Sequence, residues 1–171
     1  MKTSHILYAT DKNYLEITLA SILSLLENAQ LEEPILHLIT EKLEDEDYQK
    51  IEKVMHAYPQ IKYYIYPLED YHIEKYHIPE WKGSQVANSR LFFQEILAKQ
   101  LSEIDNLLYL DSDTIVVDQL NTLFSLPEHL VYASRDELEK KYYKHLNIPT
   151  YYNSGAVSYT HLRAHETRGN L

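Results

Sequence analysis

Short apolar runs alternate with stretches of helical spacing along most of the 171-residue chain. Residues 6–10 (Ile-Leu-Tyr-Ala-Thr), 34–40 (Pro-Ile-Leu-His-Leu-Ile-Thr) and 61–66 have the length and the aliphatic and aromatic content of buried strands. Between them, residues 15–28 set Ile17, Ile22, Leu25 and Leu26 near helical spacing. Residues 45–58 set Tyr48, Ile51, Val54 and Met55 on one side of a second helix. Strand, helix, strand, helix, strand predicts an α/β domain with a mostly parallel sheet flanked by helices. An aromatic loop at 67–83 (Tyr71, Tyr76, Trp81) and a helix at 85–101 follow. Residues 107–110 are then expected to form a fully buried strand, 120–126 a helical turn, 130–134 a strand, and 136–145 a charged helix or loop. Residues 151–155 read as a turn leading to a further strand that the chain lacks.

The fourth strand is the informative one, because it ends on two carboxylates, Asp111-Ser112-Asp113. Open α/β sheets bind ligands at the carboxyl ends of their strands. Two Asp separated by one residue there can reach one hard cation, or the phosphates it carries. A pair of strand-end Asp residues serving only as turn and cap is the plainer alternative.

Composition narrows the chemistry. Only 3 glycines are present, and neither G-x-G-x-x-G nor a P-loop occurs, so a nucleotide would be held by side chains, metal and helix ends. The formal charge of −10 disfavours a nucleic-acid partner. The absence of cysteine removes disulfides, thiolate metal sites and a Cys nucleophile. No run of about 18 apolar residues occurs, so no transmembrane segment is expected, and a cytoplasmic location is the default expectation.

Four pieces occur in order: Ile-Leu-Tyr-Ala-Thr-Asp-Lys-Asn-Tyr near the start, Ser-Arg-Leu-Phe-Phe in the middle, Leu-Tyr-Leu-Asp-Ser-Asp-Thr-Ile-Val, and Tyr-Tyr-Asn-Ser-Gly near the end. Together they resemble glycosyltransferase family 8, retaining enzymes of the GT-A fold that use UDP-sugars and Mn²⁺. The resemblance spans residues 1 to about 155. It implies metal binding by Asp111 and Asp113, with Mn²⁺ or Mg²⁺ as cofactor and a UDP-hexose as donor. It further implies that Asp11 and Asn13 hold uracil and ribose, with Thr10 and Ser112 lining the nucleotide pocket. Capping of the following helix is the plainer role for Asn13. Arg90 matches an arginine near the diphosphate, a task that suits a bidentate guanidinium. Asp136 and Asn153 become candidates on the donor-sugar and acceptor side, and Asn153 and Gly155 match an Asn-x-Gly turn there. The implied activity is transfer of glucose or galactose to a hydroxyl of a saccharide, glycoprotein or lipid.

The departures are also specific. The family's third metal ligand, a histidine, and its acceptor pocket lie beyond the Asn-x-Gly turn and are not found here; His77 and His145 stand in the wrong places. Residues 157–167 resemble one translated frame of a sequencing-library adapter. The chain therefore divides into a nucleotide-sugar-binding part, 1–156, and a non-native tail, 157–171, which discounts His161 and His165 as ligands. The fragment is expected to be inactive, or nearly so. Two rivals remain. Asp111-Ser-Asp-Thr also resembles the D-x-D-x-T of haloacid-dehalogenase phosphatases, in which the first Asp is a nucleophile. That motif normally opens its domain, whereas about a hundred residues precede it here. The other rival is a non-catalytic nucleotide-sugar-binding module.

Overall fold

The computed structural model describes residues 3–77, 80, 83–127, 131–135 and 150–160. Six strands form one mixed sheet in the order β3-β2-β1-β4-β6-β5. They are β1 (Ser4–Asp11), β2 (Pro34–Glu41), β3 (Lys62–Pro67), β4 (Asn106–Leu110), β5 (Val131–Arg135) and β6 (Tyr152–Thr160). β1 pairs in parallel with β2 and β4, and β2 with β3, while β6 runs antiparallel to both β4 and β5.

The central strands are apolar at consecutive positions because both faces of the sheet are covered. Side-chain alternation splits them cleanly. Ile6, Tyr8, Leu36, Leu38, Leu108 and Leu110 point to one face, where α1 (Leu15–Asn28) and α2 (Asp45–His56) pack through Leu15, Leu19, Ile22, Leu25, Ile51 and Met55. Leu7, Ala9, Ile39, Leu107 and Tyr109 point to the other face, beneath Leu68, Ile73, Val86, Phe93, Ile96, Leu97 and Leu101. Burying each such side chain contributes about 1.5–3 kcal/mol against the entropy of ordering it.

Several expectations need correcting. Ile17 is 46% exposed: the buried stripe of α1 runs through Leu15, Leu19, Ile22 and Leu25. The single helix expected at 85–101 is instead α3 (Val86–Ser89), a 3₁₀ turn (Arg90–Phe92), α4 (Phe93–Ile96) and a second 3₁₀ turn (Leu101–Glu103). The Ser89 hydroxyl donates to Val86 C=O at 2.6 Å and Arg90 Nε to Ala87 C=O at 2.9 Å. These side chains occupy carbonyls that a continuing helix would use for its own ladder. Residues 153–155 lie within β6, not in a turn, and the further strand is this one. Its pairing with the exposed edge of β4 carries the chain straight on to Thr160, with Tyr159 opposite Leu107 and Val157 opposite Tyr109. β6 thus includes residues 157–160 of the tail proposed from sequence. Trp81, Asp136, His145, His161 and His165 lie outside the described residues. Among the described residues no helix is long and apolar enough to cross a membrane.

Candidate donor-binding site

A cleft of about 230 Å³ opens at the carboxyl ends of β1 and β4, lined among others by Thr10, Asp11, Asn13, Arg90, Asp111 and Asp113. Strand alternation sets its first feature. Leu107, Tyr109 and Asp111 follow one another at period two, so Asp111 leaves β4 on the side of α3 rather than of α1. There Arg90 Nη2 meets Asp111 Oδ1 at 2.8 Å, and the Tyr109 hydroxyl donates to the same oxygen at 2.8 Å. The guanidinium lies over the Tyr109 ring, 4.2 Å from its centroid, and Nη1 donates to Ser154 C=O at 2.9 Å. Arg90 is thus no solvated helix residue; its side chain is 19% exposed and bridges α3, β4 and β6. Burial pushes the Tyr109 phenol far above its usual range, more than the nearby Arg90 lowers it, so it remains a proton donor to Asp111.

The Asp111–Asp113 segment is held as a turn. Asp111 C=O accepts from Thr114 N–H at 3.1 Å and from the Thr114 hydroxyl at 2.8 Å. Ser112 Oγ donates to Ala9 C=O at 2.7 Å, tying the turn to β1. Downstream, Val116 N–H donates to Ser24 Oγ, and Asn28 Nδ2 donates to Val116 C=O, both at 2.9 Å, which registers the segment on α1. Asp113 is exposed at the rim. Asp111 N–H donates to Gly155 C=O at 2.7 Å. A Cβ on residue 155 would stand 3.0 Å from Asn153 Oδ1 and 3.2 Å from Asp111 Oδ2, so glycine permits β6 to lie this close.

On the β1 side Asp11, not Asn13, organises the entry into α1. Asp11 Oδ1 accepts from the N–H groups of Asn13 and Tyr14, at 2.8 and 3.1 Å. Asn13 contributes its backbone there, and Tyr14 occupies the N-cap without a side-chain bond. Thr10 is fully buried, and its hydroxyl accepts from Thr18 Oγ1 at 2.8 Å. Asn153 Oδ1 accepts from Gly155 N–H at 2.7 Å. Asp11, Asn13, Arg90, Asp111 and Asp113 therefore share one cleft, with Asn153 and Gly155 on its β6 side. Asp136 cannot be located among the described residues.

Tyr109, which lines the cleft, and Glu41, which lies beside it, were missed in the sequence. Tyr109 could have been found, since period two puts it on the face of Asp111. Glu41 could not. It sits 6% exposed at the end of β2, and its carboxylate accepts from Ser84 Oγ and from the N–H groups of Gln85 and Val86. Burial alone would raise its pKa, but donation from Ser84, Lys42 and Val86 outweighs this and holds it below the usual carboxylate range.

Asp111 and Asp113 supply hard carboxylate oxygens of the kind Mn²⁺ or Mg²⁺ takes. Among the described residues no cluster of three His, Cys, Asp or Glu could hold a metal ion. Two carboxylates are by themselves an incomplete donor set for such a cation, and Asp111 Oδ1 is already engaged by Arg90 and Tyr109.

The chain is similar in sequence and in fold to known proteins. The chain is 28% identical over 165 residues to "Probable galacturonosyltransferase-like 2" of Arabidopsis thaliana, covering 93% of this chain and 46% of that protein. The galactosyltransferase LgtC, solved with donor and acceptor sugar analogues, superposes with a TM-score of 0.73 at 20% identity, over 96% of this chain and 60% of that one. The bifunctional glycosyltransferase WbbM, in its apo form, superposes with a TM-score of 0.73 at 18% identity, over 97% of this chain and 33% of that one. The sheet and its flanking helices are those of a GT-A glycosyltransferase. The sequence description of Glycosyl transferase family 8 matches residues 5–163, and the chain belongs to that family.

Proposed function

We propose that the protein of which this chain spans the donor-binding part transfers a hexose, glucose or galactose, from a UDP-sugar to a hydroxyl acceptor with retention of anomeric configuration. The observation that carries the reading is the convergence in one cleft of Asp111 and Asp113 with Arg90, Asp11 and Asn13. Asp11 and Asn13 offer the acceptor and donor groups that can read uracil. Arg90 offers guanidinium nitrogens to phosphate oxygens. Asp111 and Asp113 would hold Mn²⁺ or Mg²⁺, which when bound neutralises charge on the leaving nucleoside diphosphate. The chain's own task is positioning: the Thr114, Ser112 and Ser24 bonds keep both carboxylates on one rim. Family membership disfavours the phosphatase and the non-catalytic module.

The chain spans 46% of its curated relative, and among its described residues Asp111 and Asp113 are the two carboxylates that would hold the metal. The reading therefore predicts UDP binding with little or no turnover by this chain alone. Residues 1–156 are taken as the donor-binding part and 157–171 as a non-native tail, which the genomic codons after 155 check directly.

Calorimetric titration of UDP in the presence of Mn²⁺ tests the site. Binding should be metal-dependent and lost in the Asp111→Ala/Asp113→Ala double variant; binding that survives the double substitution sinks the reading. A donor panel of UDP-glucose, UDP-galactose and UDP-galacturonic acid, assayed on the longer parent protein, tests the sugar. The last is included because of the name of the plant relative.

A further inference from the structure

Glu41 lies outside every motif in the sequence, yet it is the most heavily hydrogen-bonded carboxylate near the cleft. Its Oε2 accepts from Ser84 Oγ at 2.5 Å, Gln85 N–H at 2.9 Å and Val86 N–H at 3.1 Å. Its Oε1 is 3.2 Å from Lys42 Nζ, which also reaches Gly83 C=O at 3.4 Å. Lys42 itself is left-handed, φ 58°, and its N–H donates to Glu69 Oε1 at 2.6 Å. The carboxyl end of β2 thus grips the chain at 83–86 from 41 to 45 residues away.

The gripped segment is the start of α3, which is only four residues long, and Arg90 follows it directly. Arg90 Nε is anchored on Ala87 C=O within that same turn. Ser84, Val86 and Ala87 line the same cleft as Asp111. A helix this short has almost no ladder of its own to hold its orientation. Its direction is set by its N-terminal bonds, and a shift there is carried to the guanidinium.

We propose that Glu41 is a positioning residue of the donor site, acting through Ser84, Gln85 and Val86 to aim Arg90 at Asp111. The binding readout rests on the donor-site reading above; the spectroscopic one does not. In the intact chain, the ¹⁵N–¹H resonance of Arg90 Nε, assigned by its loss in Arg90→Ala, reports the guanidinium's surroundings. It should shift or broaden in Glu41→Ala, shift less in the same direction in Ser84→Ala, and stay near wild type in Glu41→Gln, which keeps an acceptor oxygen. UDP affinity with Mn²⁺ should fall about tenfold or more in Glu41→Ala. The Glu41→Ala/Arg90→Ala double variant should bind no worse than Arg90→Ala alone. An unchanged Arg90 resonance in both Glu41→Ala and Ser84→Ala overturns the proposal, as do additive binding losses. Should Glu41→Ala not fold, Ser84→Ala and Glu41→Gln still decide it through the resonance. Absence of any UDP binding by the wild type would overturn the donor reading, while the resonance would still decide Glu41.

Discussion

On one face of the sheet two regular helices, α1 of 14 residues and α2 of 12, cover Ile6, Tyr8, Leu36 and Leu38. On the other face, between β3 and β4, the described residues form no helix longer than four residues, and the cover is assembled from 3₁₀ turns and side-chain bonds. Lys75 pairs with Glu95 at 2.8 Å, Tyr76 donates to the same carboxylate, and the rings of Tyr76 and Phe92 stack at 4.5 Å. That face also carries a buried polar chain. His5 Nδ1 lies 2.9 Å from His37 Nε2, His37 Nδ1 2.8 Å from the Tyr66 hydroxyl, and the latter donates to Gln100. Arg90 and Glu41 belong to this second face. The comparison separates two tasks: the regular face supplies apolar burial, and the irregular face aims functional groups that an unbroken helix would point elsewhere.

The largest expected effect breaks the comparison on the stability side. Ile22→Ala on the regular face, where Ile22 is 2% exposed, should lower the unfolding free energy in urea by about 2–5 kcal/mol. UDP affinity of the folded protein should be unchanged; a matching loss of affinity would show that the faces are not separable. Arg90→Ala on the other face should do the reverse. It should weaken metal-dependent UDP binding by about a hundredfold, near 2.8 kcal/mol, with a much smaller change in urea midpoint.

A third test uses pH. Burial, then the neighbouring His5 and Lys62, push the His37 pKa down from 6.5 to about 3. The folded state keeps His37 neutral while the unfolded chain takes up a proton as pH falls through 6.5. The stability due to neutral His37 is therefore complete above about pH 6.5 and is lost towards pH 3, at up to about 1.4 kcal/mol per pH unit. Urea melts across that window should show the slope, and His37→Gln should flatten it. The smallest effect concerns the end of α1, where Gln30 holds φ 52° in a position that usually favours glycine. Gln30→Gly should raise stability by about 1 kcal/mol, a melting-temperature gain of about 2–4 °C, without affecting binding.

Legibility in the sequence follows the same division. The apolar runs at β1, β2 and β4 were readable because both their faces are buried. α1 and α2 were readable because each packs one stripe on the sheet, although Ile17 was assigned to the wrong side of α1. The break of the expected 85–101 helix was not readable, because it depends on Ser89 and Arg90 capturing carbonyls of their own turn. The inclusion of 153–155 in β6 was not readable either, since it needs the exposed edge of β4 and the close approach that Gly155 allows.

By itself the sequence determined the α/β class and the strand that ends on Asp111 and Asp113, while Asp11, Asn13 and Arg90 were named through the family resemblance. Local periodicity and residue chemistry are properties of short stretches, and both survive without knowledge of the fold. Only the tertiary structure decided that Arg90 reaches Asp111 across the Tyr109 ring, that Asp11 rather than Asn13 holds the turn leading into α1, and that Glu41 grips the turn that carries Arg90. Each of these is a contact between side chains and backbone groups whose partners are set by strand order and by the face a residue takes. No spacing along the chain encodes them.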